Sequence, residues 1–204
     1  MQSSDWNKRY AATDVVWSWV PNQFVVADLA DLAAGRMIDV AGGEGRNALW
    51  YAERGWQAEN IEFADKALER FSNRAAELGL TASCIATEAD VTGPFEAALA
   101  PADLAVMSYL QVPADQLHRA IVYTVANLRP GGTFYGIFHD LENLTNGYAG
   151  PQNPAVLVTA DQLQDAALQL GMTDIVVRAR PREVIDAEGV THTARDVSII
   201  ATKA

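Results

Sequence analysis

The residues best suited to chemistry lie in the stretch Met37-Ile-Asp-Val-Ala-Gly-Gly-Glu-Gly-Arg-Asn-Ala48, where an apolar run ends in an acid and glycines precede a helix-forming segment. Gly43 and Gly45 allow a tight turn and let the backbone approach a ligand, because no Cβ stands in the way. The N–H groups of the helix start, over about residues 44–47, point into the same crevice. We expect Asp39 to face that crevice with a negative charge. Such a charge suits a cationic or amine-bearing ligand and repels a pyrophosphate.

The composition limits the classes of function that the chain can serve. A chain of 204 residues is expected to form one domain with a full core. Its 15 basic and 26 acidic residues give a net charge of −11, which would repel a phosphate backbone, so we expect no nucleic-acid partner. No apolar run approaches the ~20 residues of a membrane span. The polar N-terminus is unlike a secretory signal.

The cysteine and histidine content argues for a reducing compartment and against a metal site. The single Cys84 cannot form an internal disulfide, which fits the cytoplasm, and its apolar surroundings predict a core residue. One cysteine and three scattered histidines form no metal cluster of recognisable spacing, and Asp140 alone does not make a magnesium site. We therefore expect a cytoplasmic enzyme without metal, membrane or nucleic-acid partner, as a monomer or homodimer.

The elements that must position these residues follow from hydrophobic periodicity. Asn22 is a plausible N-cap for a helix with Val25, Leu29 and Leu32 on one face, and Thr159 with Gln162 forms a capping box. Residues 47–54 predict a further helix. Two more have apolar stripes made by Leu68, Phe71, Ala75 and Leu78, and by Leu117, Ile121, Val125 and Leu128. Strands are predicted over residues 36–41, 57–63, 82–86, 102–109, 133–138, 174–179 and 196–202.

This alternation of strands and helices predicts an α/β fold with a mostly parallel, doubly wound sheet and helices on both faces. The last two strands are joined through Asp186-Ala-Glu-Gly189 without helical periodicity, so we expect them to pair antiparallel. In an open sheet the ligand lies beyond the carboxyl ends of the strands. The residues expected around one crevice are 39–45, Glu62, Phe63, Asp90, Val91, Ser108, Tyr109, His139 and Asp140.

Four motifs resemble those of a known enzyme class. Asp39-Val-Ala-Gly-Gly-Glu-Gly45 resembles the first motif of class I S-adenosylmethionine-dependent methyltransferases. Glu62 stands where that class has an acid for the ribose hydroxyls, and Asp90 where it holds the adenine amino group. Leu128-Arg-Pro-Gly-Gly132 resembles its turn between the fourth helix and the fifth strand. The chain is most similar to small bacterial tellurite-resistance and thiopurine-type methyltransferases, whose glycine loop continues into Gly-Arg-Asn, as Gly45-Arg46-Asn47 does here.

The resemblance implies a single-domain, Rossmann-like sheet of seven strands in the order 3-2-1-4-5-7-6 over residues 1–204. Its parts would be an N-terminal lid and helix (1–34), a cofactor-binding core (35–140), an acceptor-side loop (141–158) and a C-terminal helix and hairpin (159–204). The cofactor would be S-adenosylmethionine and the product S-adenosylhomocysteine. An aromatic leader with Trp6, Tyr10 and Trp17 would fold over the cofactor. The implied cofactor-binding residues are Asp39, Ala41, Gly43, Gly45, Arg46, Asn47, Glu62, Phe63, Asp90, Val91, Ser108 and Trp17.

Other interpretations of these residues stay open. The glycine pattern followed by Glu62 also satisfies the dinucleotide fingerprint, so an NAD-binding oxidoreductase is the main alternative, and Asp39 argues against it. A non-catalytic cofactor-binding protein is another. Asp90 alone could cap a loop, and Trp17 could belong to core packing.

The expected mechanism is a proximity-driven displacement at the methyl carbon, to which positioning can contribute ~7–11 kcal/mol. His139 and Tyr109 are optional proton acceptors, and His139 could instead be a polar residue at the rim. The loop over residues 141–154 is turn-rich and poor in charge, which suggests a small, neutral or weakly polar methyl acceptor. Whether oxygen, nitrogen or sulfur is methylated stays open.

Overall fold

Seven strands form one sheet in the computed structural model, which describes residues 3–13, 16, 18–94 and 99–204. The strands are β1 (Arg36–Val40), β2 (Gln57–Glu62), β3 (Cys84–Glu88), β4 (Ala102–Ser108), β5 (Leu128–His139), β6 (Thr173–Ile185) and β7 (Thr191–Thr202). Their order is β3-β2-β1-β4-β5-β7-β6, and β7 runs antiparallel to both β5 and β6. The predicted fold class and strand order are confirmed.

Helices cover both faces of the sheet. They are α1 (Ser3–Ala11), α2 (Gln23–Leu29), α3 (Arg46–Ala52), α4 (Asp65–Glu77), α5 (Ala114–Ala126), α6 (Asn143–Asn146) and α7 (Ala160–Gln169), with a 3-10 helix at Pro154–Val156. No helix among the described residues combines the length and the apolar composition needed to cross a membrane.

The apolar core lies in two layers, one on each side of the sheet. Consecutive residues of β1 alternate between them: Met37 packs with α2, α3 and α4, while Ile38 packs with α5 and α7. Strands buried on both faces read as continuous apolar runs. This is why β1 and β4 were predictable from composition, with Leu104 and Val106 on one side and Ala105 and Met107 on the other.

Two predicted caps are confirmed by their hydrogen bonds. The Asn22 side chain accepts from the Phe24 backbone N–H at 2.9 Å at the start of α2. At the start of α7, Thr159 and Gln162 bond reciprocally, side chain to backbone, at 2.9 and 3.2 Å. The apolar face of α2 is shorter than predicted. The helix ends at Leu29, and Leu32 lies beyond it and is exposed.

Three strands end one residue earlier than predicted, and two of these ends have a backbone cause. Ala41 and Tyr109, which follow β1 and β4, have φ of +54° and +57°. Such left-handed conformations cannot continue an extended strand. The third strand, β2, ends at Glu62.

Strand β3 begins two residues later than predicted. After α4 the chain makes a further turn, in which the Ser83 N–H donates to the Leu80 carbonyl at 2.8 Å, before it enters the sheet. Cys84 therefore lies at the beginning of an edge strand and is only partly buried, not the core residue expected. Burial raises the pKa of its thiol to about 11.

The strands at the C-terminal edge are longer than their apolar segments. Pro130-Gly131-Gly132, predicted as a turn, lies inside β5, because the Gly131 N–H donates to the Lys203 carbonyl at 2.8 Å and the Lys203 N–H to the Gly132 carbonyl at 2.9 Å. The β6–β7 pairing likewise continues to Ile185 opposite Thr191. Backbone pairing there extends through polar residues that hydrophobic patterning does not mark.

Candidate active site

The glycine loop, residues 41–45, leaves β1 at the carboxyl edge of the sheet and enters α3. Three of its residues, Ala41, Gly43 and Gly45, have positive φ of +54°, +59° and +76°. The Gly42 N–H donates to the Ile61 carbonyl at 3.2 Å, and the Gly45 N–H to the Gly42 carbonyl at 3.0 Å. The tight turn expected from the sequence is present.

Close packing inside the chain requires two of the loop glycines. A Cβ on Gly45 would lie 2.8 Å from Cε2 of Phe71 in α4, and one on Gly42 would lie 2.8 Å from Cγ of Asp39. Asn60 of β2 fastens the same loop, since its Nδ2 donates to the Gly43 carbonyl at 2.9 Å. Sequence reasoning missed Asn60 and Phe71, because neither belongs to the motif.

The sequence predicted that Asp39 would face the crevice with its charge. In the structure its side chain is instead fully buried. Its Oδ2 accepts from the Ala48 N–H at 3.2 Å, and its Oδ1 accepts from Nδ2 of Asn47 at 3.4 Å. Burial raises the pKa of Asp39 to about 6, against the lowering effect of these two hydrogen bonds. The carboxylate therefore links β1 to the start of α3.

Asn47 connects three elements around the loop. Its Oδ1 accepts from the Asn22 N–H at 3.0 Å, and its Nδ2 donates to Ser108 Oγ at 3.3 Å as well as to Asp39. Asn47, Ser108 and Asp39, which were predicted to lie together, are in contact.

Glu62 closes the other side of the loop. Its Oε2 accepts from the Gly43 N–H at 3.0 Å, and its Oε1 accepts from the N–H groups of Phe63 and Ala64 at 2.9 and 3.0 Å. Burial is the largest influence on the pKa of Glu62 and raises it, while these three donors oppose the rise. The acid thus lies beside the loop and is bound to it.

The loop after β3 contains two predicted residues with different environments. Asp90 is exposed, and its Oδ1 accepts from the N–H and Oγ1 of Thr92 at 2.9 and 2.7 Å. These local hydrogen bonds agree with the alternative interpretation given above, in which Asp90 caps a loop. Val91 is buried against the core layer that contains Ile61.

Arg46 has no hydrogen bond or ion pair within the described part of the chain, although it is only partly exposed. Loss of solvation lowers the pKa of its guanidinium, while the charge of Asp39 acts in the opposite direction. An arginine held out of water without a partner is suited to bind an anionic group of a ligand.

At the ends of β4 and β5, Tyr109 and His139 stack with ring centroids 4.6 Å apart. Both are bound to Asp196 of β7, which lies opposite His139 in the sheet: the Tyr109 hydroxyl donates to Oδ2 at 2.8 Å, and Nδ1 of His139 lies 2.8 Å from Oδ1. Arg182 of β6 donates to Oδ2 at 2.8 Å. Sequence reasoning missed Asp196 and Arg182. Asp196 directly precedes the apolar part of the last strand, and an acid in that position could have been recognised as a candidate site residue.

The N-terminal segment lies against the glycine loop. Glu44 pairs with Arg70 of α4 at 2.7 Å and accepts the Val16 N–H at 3.1 Å, while Arg70 donates to the carbonyls of Tyr10 and Thr13. Trp17, predicted as a cofactor contact, is outside the described residues. Among those that are described, no group of three or more histidine, cysteine or acidic side chains could hold a metal ion.

Comparison with known proteins finds a family match over part of the chain. Residues 37–132 match the family model described as a methyltransferase domain, and this segment contains the glycine loop, Glu62, Asp90 and Tyr109. No curated protein matches the chain.

Many solved structures share the fold. TehB from Haemophilus influenzae is 11% identical, with a TM-score of 0.71 over 100% of this chain and 68% of that one. An S-adenosylmethionine-dependent methyltransferase from Methanosarcina mazei is 16% identical, with a TM-score of 0.69 over 90% and 98%. The glycopeptide N-methyltransferase MtfA, solved with S-adenosylmethionine, is 16% identical, with a TM-score of 0.63 over 86% and 84%. The matched segment and the strand order of the sheet thus agree with the methyltransferase domain that the sequence motifs resemble.

Proposed function

We propose that this protein transfers the methyl group of S-adenosylmethionine to a small-molecule acceptor in the crevice at the carboxyl ends of β1, β2, β4 and β5. The observation that carries the proposal is the glycine loop of the matched domain, with three left-handed residues and Glu62 bound to the Gly43 N–H. When bound, S-adenosylmethionine supplies a methyl group on a positively charged sulfur that leaves as a neutral thioether.

The residues present fit such a cofactor. Arg46 offers an unpaired cation to its carboxylate, and Oε2 of Glu62 has one protein donor, so a lone pair is left for a ribose hydroxyl. Asp90, in the loop after β3, is exposed and open to an amino group. The other proposed cofactor contacts are Asp39, Ala41, Gly43, Gly45, Asn47, Phe63, Val91, Ser108 and Trp17.

The acceptor side is proposed to be formed by His139 and the loop that follows it. Asn143 is buried and shapes this loop, since its Nδ2 donates to the Ala149 carbonyl and its Oδ1 accepts the Arg195 N–H, both at 2.7 Å. Gly150 packs against the His139 ring, where a Cβ would lie 3.7 Å from Nδ1. The loop over residues 141–154 is poor in charge, which supports a small, neutral or weakly polar acceptor.

The two proton acceptors considered in the sequence are not equivalent. Burial, and then the charge of Asp196, raises the pKa of Tyr109, and its hydroxyl already donates to that carboxylate. Tyr109 is therefore unsuited to remove a proton, and we assign that role to His139 where the acceptor carries one.

The oxidoreductase alternative has no support in the matched family, and the antiparallel β7 between β5 and β6 departs from the dinucleotide-binding strand order. A non-catalytic role is tested by turnover. The experiment incubates the protein with S-adenosylmethionine and a panel of small phenols, amines and thiols, and measures release of S-adenosylhomocysteine above the rate without acceptor. We expect acceptor-dependent release. Cofactor binding without release for any acceptor would favour the non-catalytic role.

A further inference from the structure

Asp196 is a fully buried acid with three polar side chains around it. Its side chain has 0% exposure, and it contacts His139 Nδ1, the Tyr109 hydroxyl and Arg182 Nε, each at 2.8 Å. These partners come from β5, from the residue that follows β4 and from β6. A buried carboxyl group with so many donors is well suited to stay ionised.

The direction of its pKa agrees with this. Burial is the largest single influence and would raise the pKa of Asp196, but the hydrogen bonds and charges of His139 and Arg182 together hold it below the ordinary value. An ionised carboxylate only accepts hydrogen bonds, so Nδ1 of His139 must be the donor. In neutral His139, Nε2 then carries the lone pair.

The His139 ring is held in place on several sides. Tyr109 stacks on it at an interplanar angle of 29°, and Gly150 of the following loop packs near Nδ1. Its side chain is 12% exposed, and Nε2 makes no hydrogen bond within the described part of the chain. Among the described residues, Asp196 of β7 contacts the ring, Arg182 of β6 pairs with Asp196, Arg46 lies within electrostatic reach of Arg182, and Asp140 follows His139 in the chain. Arg182 balances the charge of Asp196.

We infer that Asp196 is a positioning residue, which keeps His139 as the Nδ1–H tautomer so that Nε2 removes the proton of a hydroxyl or N–H methyl acceptor. The inference rests on the proposed function and names the acceptor class. For a hydroxyl acceptor, the O–H bond breaks, its proton goes to Nε2, and the freed electron pair makes the oxygen the nucleophile that bonds to the methyl carbon. For an N–H acceptor, the nitrogen lone pair forms that bond, and Nε2 takes the N–H proton as the nitrogen becomes cationic. In both cases the C–S bond breaks and its pair stays on the departing thioether. The imidazolium then releases the proton to water.

This inference separates protic acceptors from acceptors that need no base. A thiolate, which carries no proton to remove, would gain nothing from His139. Loss of Asp196 should therefore slow methylation of a phenol or an aniline and spare methylation of a thiolate. A merely structural role would slow both alike.

The chain offers a matched control in a second histidine–acid pair. His192 Nε2 lies 2.7 Å from Asp186 at the β6–β7 turn, and its ring stacks on Tyr148. Asp186→Asn thus makes the same chemical change at another histidine. The third histidine, His118, is exposed on α5.

The first test is nitrogen NMR of the three imidazoles in the full chain, with the His139 signals assigned through His139→Gln. We expect the Nδ1–H tautomer of His139 in the parent and in Asp186→Asn, and a change of tautomer population in Asp196→Asn. An Nε2–H tautomer in the parent, or no change in Asp196→Asn, would overturn the inference.

The second test compares phenol, aniline and ionised 4-nitrothiophenol as acceptors. We expect Asp196→Asn to lower kcat for the protic probes by about 100-fold, with kcat for the thiolate nearly unchanged and Asp186→Asn like the parent. Methylation of the thiolate alone by the parent, or an equal loss for all probes, would overturn the inference and leave the proposed function standing. Failure of the parent to bind S-adenosylhomocysteine in calorimetry would instead remove the proposed function, and the inference with it.

Discussion

Glu44 of the glycine loop is paired with Arg70 of α4, with 2.7 Å between Oε1 and Nη1. Glu44 also accepts the Val16 N–H, and Arg70 donates to carbonyls at positions 10 and 13, so one ion pair links the N-terminal segment to the loop. Glu44 is buried, and an ion pair removed from solvent is sensitive to loss of one partner. The leader and the cofactor side of the crevice are thus joined by two side chains.

Removal of this acid should loosen the leader. We expect Glu44→Gln to speed amide hydrogen exchange in residues 3–13 and to weaken binding of S-adenosylhomocysteine, because the leader would no longer be fastened to the loop. Glu69→Gln is the control, since Glu69 pairs with Lys66 on an exposed surface. Unchanged exchange in Glu44→Gln would show that the other contacts of the leader hold it without the Glu44 charge.

Arg46 provides a test of the proposed carboxylate contact. Because its guanidinium lacks a partner in the described chain, Arg46→Gln should leave the free energy of unfolding unchanged or slightly increased. Loss of a charged hydrogen bond to the ligand costs about 1.5–3 kcal/mol, so affinity for S-adenosylhomocysteine should fall roughly ten- to a hundredfold. Arg129→Gln, which alters a pair with Asp103 at the beginnings of β5 and β4, away from the crevice, should not change affinity. Parent-like binding by Arg46→Gln would refute the contact.

Asp39 predicts a defined pH dependence of stability. Its pKa is about 6 in the folded protein against 3.8 as the reference value, so the folded state holds the proton more tightly. Its contribution to stability is therefore fully present below about pH 4 and is lost as the pH rises to about 6. Two pKa units correspond to about 3 kcal/mol.

Urea unfolding of the parent and of Asp39→Asn from pH 4 to pH 7 measures this effect. The free energy of unfolding of the parent should fall relative to the variant by up to about 3 kcal/mol over that range. Asparagine keeps an acceptor for the Ala48 N–H, which makes the pair comparable. If the difference in free energy of unfolding between the parent and Asp39→Asn did not vary with pH, the raised pKa of Asp39 would be contradicted.

Two glycines with positive φ separate backbone strain from packing. Gly55, with φ +84°, has nothing within 4 Å of an added Cβ, whereas a Cβ on Gly45, with φ +76°, meets the Phe71 ring. Gly55→Ala should cost about 1–2 kcal/mol through left-handed backbone strain. Gly45→Ala should cost a further ~1–3 kcal/mol from overpacking, measured by thermal unfolding. Equal losses would mean that α4 moves freely away from the loop.

The sequence was most informative where burial imposes a simple pattern. β1 and β4 are buried on both faces, so their apolar runs predicted both strands within one residue. The start of β3 was misplaced, because a turn at residues 80–83 precedes the sheet and the strand itself lies half exposed at an edge. The extension of β5 through Pro130-Gly131-Gly132 depends on pairing with Lys203, which local sequence does not reveal.

The residues of the sequence motifs could be predicted to lie together at the candidate site. The residues that hold them in position could not. Asp39, Asn47 and Ser108 are in contact as expected, and Glu62 lies against the glycine loop. Asp196 is 57 residues from His139, and Arg70 is 26 residues from Glu44. Such pairs are brought together only by the sheet register and by the packing of α4, and no local spacing indicates them.

Calorimetry with the full chain tests the central claim most directly, since it asks which ligand the glycine loop binds. S-adenosylhomocysteine and NAD are titrated separately at neutral pH, with Glu62→Gln as a variant of the proposed ribose contact. The account predicts saturable binding of S-adenosylhomocysteine, weaker binding by the variant, and no binding of NAD. Saturable binding of NAD with no response to S-adenosylhomocysteine would contradict it.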